Sequence, residues 1–282
     1  MNRRTIRKSL FCWLVLSPLL LLVLFPFAVM LSTALKPTDA VLAYPPRWLP
    51  PLVAWHNFAD MWQAARFGAA LNNSLLIAIG ATILVLLVSI PAAYALSRLA
   101  FRGKGAYRQF LLVTQMLSPI LLVLGLFRMA ASIPWGDGTL VDTRVGVIVI
   151  YAAFGIAFAV WMLSSYFGTI PVDLEEAAWI DGCTRTQAAL RIFLPVALPA
   201  IAVTAIVTFV AGWNEFTVAL TMLRDEDRKT LTLQVVNLVA GRYSVEWNQV
   251  MAATLLATVP VAVVFATLQR YLMQGLTLGA VK

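Results

Sequence analysis

Six long apolar stretches constrain the fold of this chain more than any other feature. A membrane-spanning helix needs about 20 apolar residues, because each adds ~1.5 Å to a path through a hydrocarbon core ~30 Å thick. Only 12% of the 282 residues are charged, whereas a soluble domain carries roughly 25%. A soluble enzyme, a nucleic-acid-binding domain and a disordered chain are therefore excluded. The predicted spans are Leu10–Leu31, Leu75–Leu96, Phe110–Phe127, Val145–Tyr166, Ala200–Leu223 and Val250–Leu272.

The distribution of Lys and Arg favours a cytoplasmic N-terminus. Around the first three spans, the segments placed inside carry basic and no acidic residues, namely Arg3, Arg4, Arg7, Lys8, Arg98, Arg102, Lys104 and Arg108. Six spans then place both termini in the cytoplasm. We therefore predict an all-α integral membrane protein of the cytoplasmic (inner) membrane, embedded in lipid, with no nucleic-acid partner. Its predicted parts are a cytoplasmic N-terminus (1–9), a six-helix membrane domain (10–272) and a cytoplasmic tail (273–282).

The inner loop between the fourth and fifth spans, residues 168–197, carries the most specific local pattern. Asp173 followed by Glu176 predicts a capping box at the start of a short helix. Gly182 suits the left-handed backbone conformation that ends a helix. Thr184 with Gln187 repeats the capping pattern. The loop is therefore predicted to fold as a helix, a glycine turn and a second helix.

The first of these short helices presents more apolar surface than the loop itself can bury. Leu174, Ala177, Ala178 and Ile180 lie in a helix of about two turns, which is too short to be stable alone. Two interpretations remain open at this point. The helix packs back on its own bundle, or its apolar surface docks into the groove of a cytoplasmic partner.

The spacing in this loop resembles the EAA loop of permease subunits of binding-protein-dependent ABC importers. The matching residues are Glu176-Ala177-Ala178, Gly182, Ile192, Leu194 and Pro195. Three further segments, Tyr94–Arg98, Gly212–Phe216 and Gly275–Lys282, are similar to the MalG-type sugar permease subunit. The resemblance covers nearly the whole chain and is most specific from the second span onward.

The resemblance implies a type I ABC importer permease, a transport subunit without catalytic residues, metal or bound cofactor. It implies three partners: a second, different permease subunit, a dimer of ABC ATPase subunits that hold ATP and Mg, and an extracytoplasmic solute-binding protein. The coupling helix, seated in a cleft of one ATPase subunit, would comprise Glu176, Ala177, Ala178, Trp179, Ile180, Asp181 and Gly182. The tail residues expected near the ATPase interface are Gly275, Thr277, Gly279 and Lys282. The loop Arg224–Trp247 would touch the binding protein.

Glu215 is the acidic residue predicted within a span, where a charged side chain costs ~2.5–3.5 kcal/mol on insertion scales. Helical periodicity places it on a stripe of small or polar residues with Thr204, Thr208, Ala211 and Gly212. With the neighbouring Asn214, this stripe is either a wall of the sugar path or a buried polar contact between helices. The candidate path residues are Thr208, Gly212, Asn214 and Glu215.

Two other transport functions compete with an ATP-driven sugar importer. A secondary transporter driven by an ion gradient would use Glu215 as its proton site, but it has no need of the loop motif. An ABC importer of the same kind could instead carry amino acids, polyamines or phosphate. A membrane-embedded enzyme is disfavoured, because the predicted spans contain no cluster of His, Cys or carboxylates.

Overall fold

The computed structural model describes the backbone of residues 3–136, 138–240 and 245–278, and the side chains of those between 12 and 269. Helices make up most of the described chain. Two short strands, β1 (Pro134–Trp135) and β2 (Gly138–Thr139), pair antiparallel. The helices are α1 (Arg3–Ala34), α2 (Thr38–Val41), α3 (His56–Ala64), α4 (Phe67–Arg98), α5 (Lys104–Gln115), α6 (Pro119–Ser132), α7 (Arg144–Phe167), α8 (Asp173–Ile180), α9 (Arg185–Ala188), α10 (Leu194–Asn214), α11 (Thr217–Met222), α12 (Leu231–Asn237) and α13 (Trp247–Leu278).

Within the described residues, five helical segments are long and apolar enough to cross a membrane. They are Cys12–Ala34, Phe67–Arg98, Arg144–Phe167, Arg185–Asn214 and Trp247–Gln269. Helices α5 and α6 pass the same test only as a bent pair, which would make a sixth span. Five of the six predicted spans therefore correspond to long apolar helices, although their ends differ from the predicted ones.

The third predicted span, Phe110–Phe127, is not one straight helix. Helix α5 ends at Gln115, α6 begins at Pro119, and the two axes differ by 97°. Pro119 explains the break, because the residue before a proline is disfavoured in the helical conformation. Ser118 is extended, with φ −68° and ψ 130°, and Pro119 then occupies the first turn of α6. The prediction of a continuous span here was wrong.

The fifth predicted span, Ala200–Leu223, is shifted along the chain. Its helix begins at Arg185, passes through a π-helical turn at Ala189–Phe193, and ends at Asn214. Glu215 is extended, with ψ 130°, and the separate helix α11 follows Phe216. Glu215 therefore lies at a break between helices, and the prediction of one continuous helix through it was wrong.

The chain divides into two compact units, of which the first comprises Met1–Gly68 and Gln234–Val259. A buried amide holds this unit together. The Asn57 side chain donates hydrogen bonds to the carbonyls of Ala34 and Lys36, both at 2.8 Å. Asn248 in turn donates to Asn57 Oδ1 at 3.0 Å. This network satisfies backbone carbonyls beyond the end of α1 and fixes α1, α3 and the start of α13 together.

The second unit comprises Ala69–Leu233 and Pro260–Lys282, and it contains the loop with the sequence motif. Helices α4 and α7 approach closely through small residues. A Cβ atom at Gly80 would lie 2.8 Å from Ile148 Cδ1, and one at Gly155 would lie 3.0 Å from Val85 Cγ2. Small residues that let helix backbones approach are typical of packing within membranes. This packing places the end of α4 beside the segment that follows α7.

Candidate functional site

The motif loop folds as the predicted helix, glycine turn and helix. Helix α8 ends at Ile180, and Gly182 adopts the left-handed conformation with φ +87°. Helix α9 begins after Thr184, whose side chain accepts from Gln187 N while the Gln187 side chain accepts from Thr184 N. The predicted second capping box and the glycine turn are thus confirmed.

The predicted first capping box is wrong. Asp173 is itself the first helical residue, and Val172 occupies the N-cap position. The N–H of Glu176 donates to the Val172 carbonyl, so the helix begins one residue earlier than the capping pattern implies. The carboxylates of Asp173, Glu175 and Glu176 all lie in the first turn, where the helix dipole favours negative charge.

Helix α8 is buried along one face and exposed along the other. Glu175 and Ala178 are buried, so one face does pack back on the chain's own bundle. Ile180 is 86% exposed, and Leu174 and Trp179 are also exposed. The other exposed residues of the motif are Glu176, Ala177, Asp181 and Gly182. The first interpretation therefore applies to the buried face, and docking of the exposed residues on a partner stays a prediction.

Glu175 anchors the buried face through charge and hydrogen bonds that the sequence interpretation missed. Arg98 Nε lies 2.5 Å from Glu175 Oε2, and Tyr94 donates its hydroxyl to Glu175 Oε1 at 2.6 Å. The Arg98 and Glu175 side chains are only 9% and 2% exposed. Arg98 also donates to the carbonyl of Ile170 at 2.8 Å. The one available signal was the spacing of Tyr94 and Arg98, which places both on one helix face.

An aromatic cluster supports this ion pair. Phe193, in the π-helical turn, packs edge-to-face against Tyr94 and Phe167, with ring centroids 5.1 and 4.9 Å apart. The Arg98 guanidinium carbon lies 4.9 Å from the centroid of the Phe193 ring, which is cation–π geometry. Aromatic pairs in such geometry contribute ≈ 0.5–1.5 kcal/mol beyond burial of their area. Arg98 is thus held between an anion and an aromatic ring.

A cavity of about 540 Å³ lies beside this cluster and opens along the motif loop. Its lining joins α4, α8, α9 and the π-helical turn. Trp179 forms part of the wall, with the Arg185 guanidinium 5.2 Å from its ring centroid. The loop therefore presents both a concave surface and the exposed apolar face of α8.

A second cavity, of about 380 Å³, contains most of the predicted path stripe. Thr208, Gly212 and Glu215 line it, together with the aromatic rings of Tyr151, Phe154 and Phe158. Asn214 is exposed and is not among the lining residues. The structure therefore brings three of the four candidate path residues to one wall.

The Glu215 carboxylate is engaged by backbone groups. Its oxygens accept hydrogen bonds from Val218 N at 3.0 and 3.1 Å, and from Ala219 N at 3.3 Å. The Glu215 carbonyl accepts from the Tyr151 hydroxyl at 3.3 Å. The carboxylate thus satisfies the unpaired N–H groups at the start of α11. This geometry favours a structural role for Glu215 over the role of a mobile proton carrier.

The loop between α11 and α12 is held by side chains from two other segments. Asn73 donates to the carbonyls of Asp227 and Lys229 at 2.8 and 3.0 Å, and accepts from Arg144 Nε at 2.8 Å. Asp142 accepts from the N–H groups of Arg224 and Asp225. The backbone of the charged segment 224–229 is therefore held in place, and residues 224–228 are exposed.

The predicted tail residues are only partly within the described structure. The backbone at Gly275 and Thr277 belongs to α13. Gly279 and Lys282 lie outside the described residues. The part of the loop at residues 241–244 also lies outside them.

Comparison with known proteins identifies a family whose model matches this chain. The family model described as "Binding-protein-dependent transport system inner membrane component" matches residues 89–278. The inner membrane ABC transporter permease protein YcjP of Escherichia coli (strain K12) is 32% identical, over 100% of this chain and 99% of its own. The trehalose/maltose transport system permease protein MalG of Thermococcus litoralis is also 32% identical, over 92% of this chain and 91% of its own.

Two solved structures share the fold. A chain of a bacterial ABC transporter involved in the import of the acidic polysaccharide alginate gives a TM-score of 0.76 at 21% identity, covering 96% of this chain and 99% of that one. A chain of the alginate transporter in complex with its pentasaccharide-bound periplasmic protein gives 0.63 at 19% identity, covering 94% of each chain. At these identities the likeness concerns the fold alone.

Proposed function

Because this chain belongs to the family of binding-protein-dependent transport system inner membrane components, we propose that it forms half of the translocation path of an ATP-driven importer for a carbohydrate. The trehalose/maltose permease relative supports the substrate class. The exposed face of α8 carries the proposal. It is the surface on which an ATPase subunit could bind and transmit its conformational change to the membrane helices.

The coupling helix would seat in a cleft of an ATPase subunit with its exposed face inward. Burial of Leu174, Trp179 and Ile180 there would remove apolar surface from water, which stabilises association at roughly 25 cal/mol per Å². Glu176 is exposed on this face and would pair with a basic residue of the cleft. Gly182 supplies the turn that lets α9 leave the cleft at once.

The proposed topology has six spans, with the bent pair α5–α6 as the third and both termini in the cytoplasm. Arg98, Arg102, Lys104 and Arg108 support it, since basic residues concentrate in inner loops. In this topology the motif loop faces the cytoplasm. The loop at 224–230 faces outward, where the solute-binding protein would dock on its charged side chains.

The proposed complex holds four further components: a second, different permease subunit, two ATPase subunits, and the binding protein. ATP and Mg bind to the ATPase subunits, and hydrolysis occurs there. A ligand shifts a two-state equilibrium only by its difference in affinity between the states. ATP would close the ATPase dimer, draw the coupling helices together and favour the outward-open state, and hydrolysis would reset it.

The second cavity is the proposed contribution of this chain to the solute path. Its aromatic rings and the Thr208 hydroxyl offer an apolar wall with few polar groups, as small-molecule sites commonly do. Gly212 and Glu215 belong to the same wall, and Asn214 precedes Glu215 outside the lining. An importer of a non-sugar solute is the alternative that this lining leaves open.

Reconstitution tests the proposed function. The chain is purified with its neighbours, inserted in proteoliposomes, and supplied with the binding protein and a panel of sugars. We expect one sugar to raise ATP hydrolysis and to enter the vesicles only when ATP is present. Deletion of Glu176–Gly182 should abolish both effects. Uptake by the isolated chain, or uptake that a proton gradient drives without ATP, would show that the chain is a secondary transporter.

A further inference from the structure

Arg98 connects helix α4 to three other segments of the chain. It lies at the end of α4, pairs with Glu175 on α8, donates to Ile170 after α7, and covers the ring of Phe193. Helix α8 is already linked along the chain to α7 before it and to α10 after it. Arg98, at the end of α4, is 77 positions from Glu175, so α4 is not joined to α8 by a short connection along the chain. Its connection to α8 runs through Arg98 and Tyr94.

Breaking this connection at one end is costly because both charges are buried. Removing one partner of a buried ion pair leaves an uncompensated charge, whereas exposed pairs contribute little. The pair of Arg228 with Asp142 is of the exposed kind, at 46% and 27%. Both ends of the buried pair also match a helix dipole, with the cation at the C-terminus of α4 and the anion in the first turn of α8.

We propose that Arg98 and Glu175 are positioning residues that make α8 and the inner end of α4 move as one body during transport. The inference rests on the proposed coupling function and adds a route for it. Displacement of α8 by the ATPase reaches α7 and α10 along the chain, and reaches α4 through this pair. Glu176 contacts the ATPase, whereas Glu175 transmits the movement.

Alanine variants test the transmission. Arg98→Ala and Glu175→Ala are compared with Arg102→Ala and Asp173→Ala, which remove exposed charges from the same two regions. Each is reconstituted with the ATPase subunits, the second permease subunit and the binding protein. Transport and ATP hydrolysis are normalised to assembled complex, so that loss of folded protein does not count as loss of coupling.

We expect the solute moved per ATP hydrolysed to fall roughly tenfold in the two test variants, a size typical of residues that carry coupling between sites. The binding-protein concentration for half-maximal stimulation should not change, and the two controls should match wild type. A merely structural pair would lower the yield of complex and leave solute per ATP unchanged. That result would overturn the proposal.

Reversible cross-linking provides the second measurement. Cys12 and Cys183 are first replaced by Ser and Ala, and Arg98→Cys with Glu175→Cys then removes the ion pair. A flexible bis-methanethiosulfonate spacer joins the two thiols, since two long side chains separate their backbones. We expect cross-linking to restore most of the lost coupling and reduction to abolish it again. A cross-link that blocks transport would mean that the pair must open, and would refute movement as one body.

The two proposals fail in different ways. If wild-type complex does not couple ATP hydrolysis to uptake, the proposed function itself is wrong. If wild type couples and both alanine variants couple equally well, only the role of Arg98 and Glu175 is wrong.

Discussion

Glu175 and Glu176 are adjacent in the chain but face different surroundings, with Glu175 buried against Arg98 and Glu176 exposed. Two neighbouring carboxylates thus separate two tasks within one short helix. One attaches the helix to its own bundle, and the other is available to a partner. Successive residues of a helix point about 100° apart, which is enough to take Glu176 out of the buried face that Glu175 and Ala178 share.

We expect substitution of Glu176 to weaken binding of the permease to the ATPase subunit. Glu176→Gln removes its charge and keeps its shape, so the affinity should fall about tenfold, equivalent to about 1.4 kcal/mol. Titration of purified ATPase subunit onto immobilised permease in detergent measures the change. Asp173→Asn, in the same helical turn, is the matched control. Equal affinity of the Glu176 variant and wild type would argue against an ionic contact there.

Gly182 should be sensitive to conformation and not to size. An added Cβ meets nothing within 4 Å, but φ is +87°, where non-glycine residues are strained by ~1–2 kcal/mol. Gly182→Ala should therefore lower ATP-driven uptake, while Gly182→Asn should be milder because Asn tolerates this conformation. Uptake per assembled complex is the measurement. A larger loss in the Asn variant would point to crowding in the ATPase cleft instead.

Gly146 should be sensitive to size. It lies in the first turn of α7, and a Cβ there would be 2.2 Å from the backbone carbonyl oxygen of Leu140. Gly146→Ala should destabilise the protein by about 1–3 kcal/mol, the usual range for overpacking. Gly125→Ala in α6 is the control, because its Cβ meets nothing within 4 Å. Thermal unfolding in detergent compares them, and equal midpoints would contradict the described packing of α7.

Asn73 should hold the loop that follows α11. Asn73→Ala leaves the carbonyls of Asp227 and Lys229 without their amide donor, at a cost of about 1–3 kcal/mol. We expect trypsin to cleave the 224–230 segment faster in this variant. The measurement uses intact vesicles in which this segment faces the added trypsin. Asn72→Ala, at an exposed neighbouring position, should cleave at the wild-type rate. Identical rates for both variants would show that the loop is held by other contacts.

Glu215→Gln distinguishes the two kinds of transporter. The amide oxygen of Gln can still accept from Val218 N, so helix α11 should keep its cap and ATP-driven uptake should remain within about twofold of wild type, as expected for a small change in one hydrogen bond. Collapse of the proton gradient with ATP held constant should change uptake in neither protein. Loss of uptake in the Gln variant together with gradient dependence in wild type would support a proton carrier.

Local patterns predicted the motif loop well, and non-local contacts were beyond them. The turn at Gly182 and the cap at Thr184 depend on residues within four positions, so their chemistry is visible in the sequence. The pair of Arg98 and Glu175 depends on which helix faces meet across 77 positions. Apolar composition does not determine which helix faces meet, because all the spans have a similar composition.

The misplaced span boundaries have a different cause. Hydropathy depends on side chains and contains no information on backbone constraints. The run Phe110–Phe127 was therefore predicted as one span although it contains Pro119. In the same way, Glu215 was interpreted as a charge within an apolar run, although its carboxylate caps the start of helix α11. Proline alone would not have located the first break, because Pro91, Pro199 and Pro260 lie inside continuous helices.

The helix Arg185–Asn214 carries one further consequence. Its 30 residues, the π-helical turn included, span about 45 Å at ~1.5 Å per residue. Phe193 near its foot belongs to the ion-pair cluster, and Thr208 and Gly212 near its head line the second cavity. One helical segment thus physically links the ion-pair cluster to the second cavity.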